Sequence, residues 1–427
     1  MSTVKEIESR PTRIQRLGVL AVPAFAFLFF GQLVSLLGDH VYRVGLTWYV
    51  TQRFGGVLAG ANLGLAMSLP MAVFALFAGV IVDRFNRFRV MIVSDFVRMI
   101  IVSGILFLLL APAPNRFLVY ASASMLTVFS ILFSPALMAL LPDLADGDHD
   151  RLIDMNSWIT GLNHTMNVVG PGLAGVFTAF HSSWLLGFDA LTFAFSGAMI
   201  LFTMRVLSPT QREKIVESEA RVSTKSGTNV LANAREGMGF FLKHPVLRPQ
   251  FLVFPLVESV EYSIPFLLPG FLEENLVNSG QLFAALLASW SLGRVLGIVL
   301  IARTPLKGER GKVFTVNFFI HSLALLMFLL ASSRWLSLIA FAILGIPAGA
   351  AQVSMNTYIQ TEVSPDMRGR VFAGLISLTT WLIPLGPIVF GAIARWQSTS
   401  SSFLIMSILL FAAGVYIASH RAVREVK

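Results

Sequence analysis

Cysteine is absent from this chain of 427 residues, and charge is scarce, at 13% of positions. The first absence excludes disulfides, cysteine zinc sites and thiol catalysis, and leaves the redox compartment undetermined. The second is about half the roughly 25% that soluble domains carry. Neither an HExxH metalloprotease signature nor a GxxxxGK[ST] phosphate loop occurs, so the chain shows no enzyme motif and no ATP site. With 55% hydrophobic residues and a mean hydropathy of +0.74, the chain could not cover its own surface in water. A protein dissolved in lipid need not. The net charge of +9 could suggest nucleic acid, but Lys and Arg sit in short loops between apolar runs, not in a patch or stripe, so no nucleic-acid partner is expected.

What is present is long apolar runs. A membrane-crossing helix needs about 20 such residues. Twelve candidate spans are read at roughly 21–49, 56–82, 90–112, 117–141, 155–179, 184–204, 247–272, 280–302, 313–331, 335–359, 370–394 and 402–420. The run after the polar first sixteen residues is too long for a signal-peptide core and ends in no cleavage site, so it is expected to remain as a helix. With the N-terminus placed in the cytoplasm, twenty-five of the 32 Lys and Arg fall in cytoplasmic segments, four in outer loops and three inside spans. That bias follows the positive-inside rule and predicts both termini cytoplasmic.

The expected fold is an all-α integral membrane protein with twelve transmembrane helices in two pseudo-symmetric six-helix bundles. A bundle over 1–207, a cytoplasmic linker over 208–245 and a second bundle over 246–427 are predicted. Part of the polar break, NVLANAREGMGFF, has the spacing of a helix lying on the membrane surface. The halves match: GPGLAG (Gly170–Gly175) and GPIVFG (Gly386–Gly391) both fall in the fifth span of their half. Paired six-span halves point to a transporter built from parallel repeats.

Between the second and third spans the chain reads GVIVDRFNRFRV. This resembles the gate loop of the major facilitator superfamily, usually written G-x-x-x-D-R-x-G-R-R. Gly79, Asp83, Arg84 and Arg87 match, and Asn86 stands where Gly is usual, a residue that also tolerates a left-handed turn. The resemblance implies a latch at the cytoplasmic surface, with Gly79 letting two helices approach closely. Span five, with Gly161, Gly170, Pro171 and Gly175, is similar to the family's exporter motif. Arg368 and Arg370 lie in SPDMRGRVFAGL, which together with FGQLVSLLGDHVYRVGLTWYV and FDALTFAFSG resembles the macrolide efflux and enterobactin exporter branch. The sequence departs from that pattern twice. Span four has no buried Arg, and the second gate loop, GIVLIARTPLKGERGKV, has no Asp.

The charges inside spans are read on their own, since each costs roughly 2.5–3.5 kcal/mol at mid-membrane. Glu258 and Glu261 share one helix face, about 15 Å into the seventh span. Arg294 lies at similar depth on the next span. Asp39 and Arg43 share a face of span one. In the resembled fold, spans one and seven line the central cavity. The glutamates, one paired with Arg294, therefore suit a proton carrier, and Asp39, paired with Arg43, suits the binding of a cationic substrate. Static struts are the alternative for both pairs. Asp95 and Arg98 read as structural, Asp189 as interfacial, and His164 and His321 as packed or held by a local hydrogen bond. The acidic run 142–154 reads as a solvated loop without calcium-loop spacing.

The expected function is a proton-coupled exporter of amphipathic small molecules such as drugs or a siderophore, working by alternating access. A nutrient importer on the same fold and a non-transporting receptor are the alternatives. No cofactor or metal is expected beyond the proton gradient. The expected setting is the bacterial inner membrane, with the lipid bilayer, a small amphipathic substrate and protons as partners of a monomer.

Overall fold

A computed structural model describes residues 18–178, 182–209, 211–213, 215, 238–276, 279–303 and 310–424. After a short 3-10 turn at Gly18–Ala21, the first half contains α1 (Pro23–Phe54), α2 (Gly56–Arg84), α3 (Arg87–Leu110), α4 (Arg116–Ala145), α5 (His149–Thr178) and α6 (Ser182–Val206). The second contains α7 (Leu247–Asn275), α8 (Gly280–Arg303), α9 (Arg310–Leu329), α10 (Arg334–Glu362), α11 (Pro365–Leu382), α12 (Leu385–Trp396) and α13 (Thr399–Ser419), followed by a single turn at Arg421–Arg424. Most of the expected linker, 208–245, and of the expected surface helix lies outside the described residues; residues 238–243 are helical.

Local chemistry starts these helices. Pro23 opens α1, where its missing N–H costs nothing. Asn115 accepts from the N–H groups of Phe117 and Leu118 at 2.9 and 3.3 Å, and caps α4. Ser333 and Ser398 cap α10 and α13 in the same way. Asn86 is also a cap, with φ −59° and its side chain accepting from Arg89 N–H at 3.0 Å. The backbone at Asn86 is not left-handed, so the tolerance that Asn shares with Gly is not used here; starting α3 satisfies an end-of-helix donor that would otherwise be orphaned.

Among the described residues ten helices are long and apolar enough to cross a membrane, α11 and α12 counting together as one. The other two expected spans are α5 and α9. In α5 the apolar run is broken by residues such as Asn163, His164 and Asn167, and in α9 the apolar stretch is confined to Thr315–Leu329. Both helices nonetheless sit inside the bundles. Large apolar side chains cover the exterior, Phe107 and Phe117 being 72% and 73% exposed, as a lipid-facing surface requires.

Packing repeats with a period of six helices. In the first half α1 packs on α5 and α6, α2 on α4, and α3 on α4 and α6. In the second, α7 packs on α11, α12 and α13, α8 on α10, and α9 on α10 and α13. The two halves meet through α2 against α7 and α12, and through α5 against α8. The repeat is not perfect. Span five runs unbroken through Pro171, whereas span eleven breaks at Ile383–Pro384 into α11 and α12.

Candidate functional site: a charged cavity between the halves

Helix ends rich in Arg, at Arg84, Arg87, Arg303 and Arg368, define one end of the bundle, here called the basic end. Contacts between the halves lie toward the other end. Trp48 of α1 stacks on Phe283 of α8 with ring centroids 5.6 Å apart. A Cβ on Gly60 would sit 2.0 Å from the carbonyl oxygen of Phe266, one on Gly270 2.6 Å from Val57, and one on Gly391 2.5 Å from Ala61. At these positions only glycine lets the helices approach so closely.

Below these contacts lies a cavity of ≈ 310 Å³, lined by His40, Arg43, Asn167 and Pro171 from the first half and by Glu258, Glu261, Tyr262, Trp290, Arg294 and Gln352 from the second. Two carboxylates, two guanidinium groups and several aromatic rings line this one cavity. Such a surface can hold a molecule with a charged group and an apolar body. Gly170 of the GPGLAG motif makes room for His40, because a Cβ there would lie 2.3 Å from the imidazole Cδ2. Pro171 reaches the cavity itself, and Gly172 packs on Ala288 and Ser291 of α8.

In the second half, His321 Nε2 lies 3.1 Å from Glu261 Oε1. Glu261 thus takes its partner from α9. The expected Arg294–glutamate ion pair is not formed among the described residues; Arg294 instead lies over the Trp290 ring at 5.8 Å. The cause is in the backbone. Gly293 and Gly297 on α8 meet Gly345 and Gly349 on α10 so closely that a Cβ on Gly349 would sit 2.2 Å from the Arg294 carbonyl oxygen. These two GxxxG pairs clamp α8 to α10 and fix where Arg294 emerges.

In the first half the expected Asp39–Arg43 pair is replaced by a different one. Arg98 of α3 pairs with Asp95, and lies 3.9 Å from Asp39. Phe133 and Phe193 flank its guanidinium at 4.9 and 4.3 Å. A guanidinium held in an apolar slot needs carboxylates more than Asp39 needs a same-helix partner, which leaves Arg43 free to face the cavity. Asp189 is fully buried, not interfacial. It accepts a hydrogen bond from the Thr192 hydroxyl at 3.1 Å, beneath Gly38, where a Cβ would lie 2.4 Å from its Oδ1.

At the basic end, Arg87 is buried and pairs with Asp143 at the end of α4. The acidic run 142–154 is therefore not wholly a solvated loop: it ends α4, turns at Asp146 and Gly147, and starts α5. Arg84 is exposed. The side chain of Asp83 lies outside the described residues, as do the surroundings of Gly175. Among the described residues a Cβ added at Gly79 or at Gly161 would have no neighbour within 4 Å, so the close helix approach expected at Gly79 is not found among them. Arg368 Nε donates to the Val363 carbonyl at 2.9 Å across the α10–α11 turn, and Arg370 is exposed beside Met367. His164 is exposed. Among the described residues no group of three His, Asp or Glu could hold a metal ion.

His40, His321 and the glycine clamp were not assigned roles from sequence. The two GxxxG spacings were the legible signal for the clamp; nothing in sequence paired His321 with Glu261.

The sequence profile of the Major Facilitator Superfamily matches residues 28–380 and 261–426. The chain is similar to the uncharacterized MFS-type transporter YfiS of Bacillus subtilis, at 26% identity over 417 residues, covering 93% of each chain. It is similar to the multidrug efflux pump Tap of Mycolicibacterium fortuitum, at 26% identity over 93% of this chain and 96% of that one. Macrolide efflux protein A of Streptococcus pyogenes is 22% identical over 94% of this chain and 96% of its own. Among solved structures, a POT family transporter superposes with a TM-score of 0.69 at 12% identity, covering 92% of this chain and 95% of that one. The nucleoside transporter NupG superposes with a TM-score of 0.66 at 14% identity, covering 95% and 100%. The matched profile, the repeated six-helix packing and the cavity between the halves converge: this chain is a multi-pass membrane transporter, not an enzyme, and belongs to the Major Facilitator Superfamily.

Proposed function

We propose that the protein is a proton-coupled exporter of amphipathic small molecules in a bacterial plasma membrane, working by alternating access as a monomer with both termini cytoplasmic. The observation that carries this reading is the cavity itself: Glu258, Glu261, Arg43 and Arg294 share it with Trp290, Tyr262 and Phe283. The relatives named for drug and macrolide efflux support the direction of transport. The positive-inside bias assigns the basic end to the cytoplasm, so closure at the far end reads as an inward-facing state.

Titration of a cavity carboxylate couples protons to substrate. With Glu258 and Glu261 three residues apart, their charges repel in a medium poorer than water at screening. A proton bound there enters as a substrate molecule leaves, and its movement down the gradient drives the outward step, whether the substrate is a cation or neutral. The sequence units 1–207 and 246–427 act as the two rocking bodies, with 208–245 as the tether.

Everted membrane vesicles test this. An acid-inside pH gradient should drive uptake of a fluorescent amphipathic cation, and nigericin, which collapses that gradient, should stop it. Uptake insensitive to the gradient would contradict proton coupling. Uptake driven only in right-side-out vesicles, with protons moving in the same direction as substrate, would favour an importer.

A further inference from the structure

A second, much smaller cavity lies behind the first. Its volume is ≈ 40 Å³, and it is lined in part by Gln250, Asn317 and His321, none of which faces the larger cavity. Glu258, Glu261, Arg294 and Gln352 line both. The two glutamates therefore stand in a shared wall, with a substrate-sized space on one side and a water-sized space on the other. At roughly 10–15 Å³ for each water centre, the small chamber has room for a few waters and for no drug-sized molecule.

The chamber's walls mix apolar side chains, Phe254, Val257, Phe318 and Met355 among them, with polar groups that call for water. Gln250 Nε2 and Asn317 Nδ2 have no protein hydrogen-bond partner, although their residues are only 3% and 7% exposed. Buried amides are normally satisfied, and water in the chamber is the available partner. The polar groups are also in order along the bundle. Gln250 lies three residues into α7 from the basic end. Asn317 and His321 lie four residues apart on one face of α9, about 10 and 16 Å from its start at that same end. Glu261 follows, 3.1 Å from His321. The charged groups facing His321 across the chamber are Glu258 and Glu261 of α7 and Arg294 of α8.

We propose that protons pass between Glu261 and the basic end through this chamber, with His321 as the relay, on a route separate from that of the substrate. This rests on the proton-coupled reading above. In the release step, Glu261 gives its proton from Oε1 to His321 Nε2 while the other ring nitrogen gives its own proton to a chamber water, which carries it as hydronium to the basic end; the carboxylate is charged again, the imidazole is left in its other tautomer, and one proton has moved inward. An imidazole suits this role because its ordinary pKa is close to neutral pH and its two nitrogens can give and take at once. His321 is a positioning and relay residue; it does not touch the substrate cavity.

The purified protein reconstituted in liposomes tests this. Two fluxes are measured: uptake driven by a pH gradient, and exchange of labelled for unlabelled substrate without a gradient. His321→Gln should lower driven uptake by roughly a hundredfold, and Asn317→Leu, which fills the chamber with an apolar group, by about tenfold. Both should leave exchange within about twofold of wild type, which also shows that the variants fold. If His321→Gln and Asn317→Leu keep wild-type driven uptake, the relay is overturned while proton coupling stands. If both fluxes fall together in these two variants and in the smaller change Asn317→Ser, the chamber is structural and the proposal fails. Wild-type protein that shows exchange but no pH-driven uptake overturns both readings.

Discussion

The two halves each place an arginine near carboxylates at mid-bundle, and they treat it in opposite ways. In the first half, Arg98 is 3% exposed, pairs with Asp95, lies near Asp39 and is flanked by Phe133 and Phe193. In the second, Arg294 forms no ion pair among the described residues and lies in the wall shared by two cavities, with Glu258 and Glu261. The residue types are similar; the surroundings are not. A charge enclosed by aromatic rings must be neutralised in place and serves to hold α3 near α1 and α6. A charge at the edge of a cavity can be answered by water, by a titrating carboxylate or by substrate, and so remains available for work.

The most disruptive way to test that contrast is to remove each arginine. Arg98→Met should destabilise the protein by about 3–5 kcal/mol, since it leaves Asp95 buried without a cation; adding Asp95→Asn should recover part of the loss. Thermal unfolding in detergent measures both. Arg294→Met should lower stability by no more than about 1 kcal/mol while reducing pH-driven uptake. Equal destabilisation by the two substitutions would erase the distinction between strut and working charge.

A smaller effect is expected at the clamp that sets the position of Arg294. Gly349→Val places a branched side chain against the α8 backbone, where a Cβ alone would be 2.2 Å from the Arg294 carbonyl. It should cost about 1–3 kcal/mol and impair transport as well, because Arg294 is displaced. A variant with normal melting and normal transport would show that α8 and α10 need not touch.

The smallest effect separates glycines that pack from glycines that do not. Gly161 has open space where a methyl would go, so Gly161→Ala should stabilise α5 by about 0.5–1 kcal/mol through helix propensity. Gly170→Ala, which meets the His40 ring at 2.3 Å, should destabilise it. The same melting experiment on the two variants, only nine residues apart in one helix, reads the difference directly.

Sequence made the class, the paired halves and the cavity glutamates legible because each rests on short-range signals. Apolar runs report span length, and a three-residue spacing puts Glu258 and Glu261 on one face. Partner choice was not legible. The four-residue spacing of Asp39 and Arg43 suggested a pair, but a same-helix ion pair contributes only about 0.2–0.5 kcal/mol, less than the need of a buried Arg98 for carboxylates. Likewise His321 reads as an isolated polar residue in an apolar run until α9 brings it beside Glu261. Gly79 matched the family pattern and Asn86 departed from it, and the two positions carry different local jobs here: open space at one, a helix cap at the other.

The central claim is that a carboxylate on α7 carries the coupled proton. The Glu258→Gln, Glu261→Gln double variant in liposomes tests it most directly, with driven uptake and substrate exchange measured side by side. The account predicts that pH-driven uptake is abolished while exchange persists, because the amides keep the shape of the cavity wall but cannot release a proton. Driven uptake that continues in the double variant would contradict the account and move the search for the carrier to Asp39.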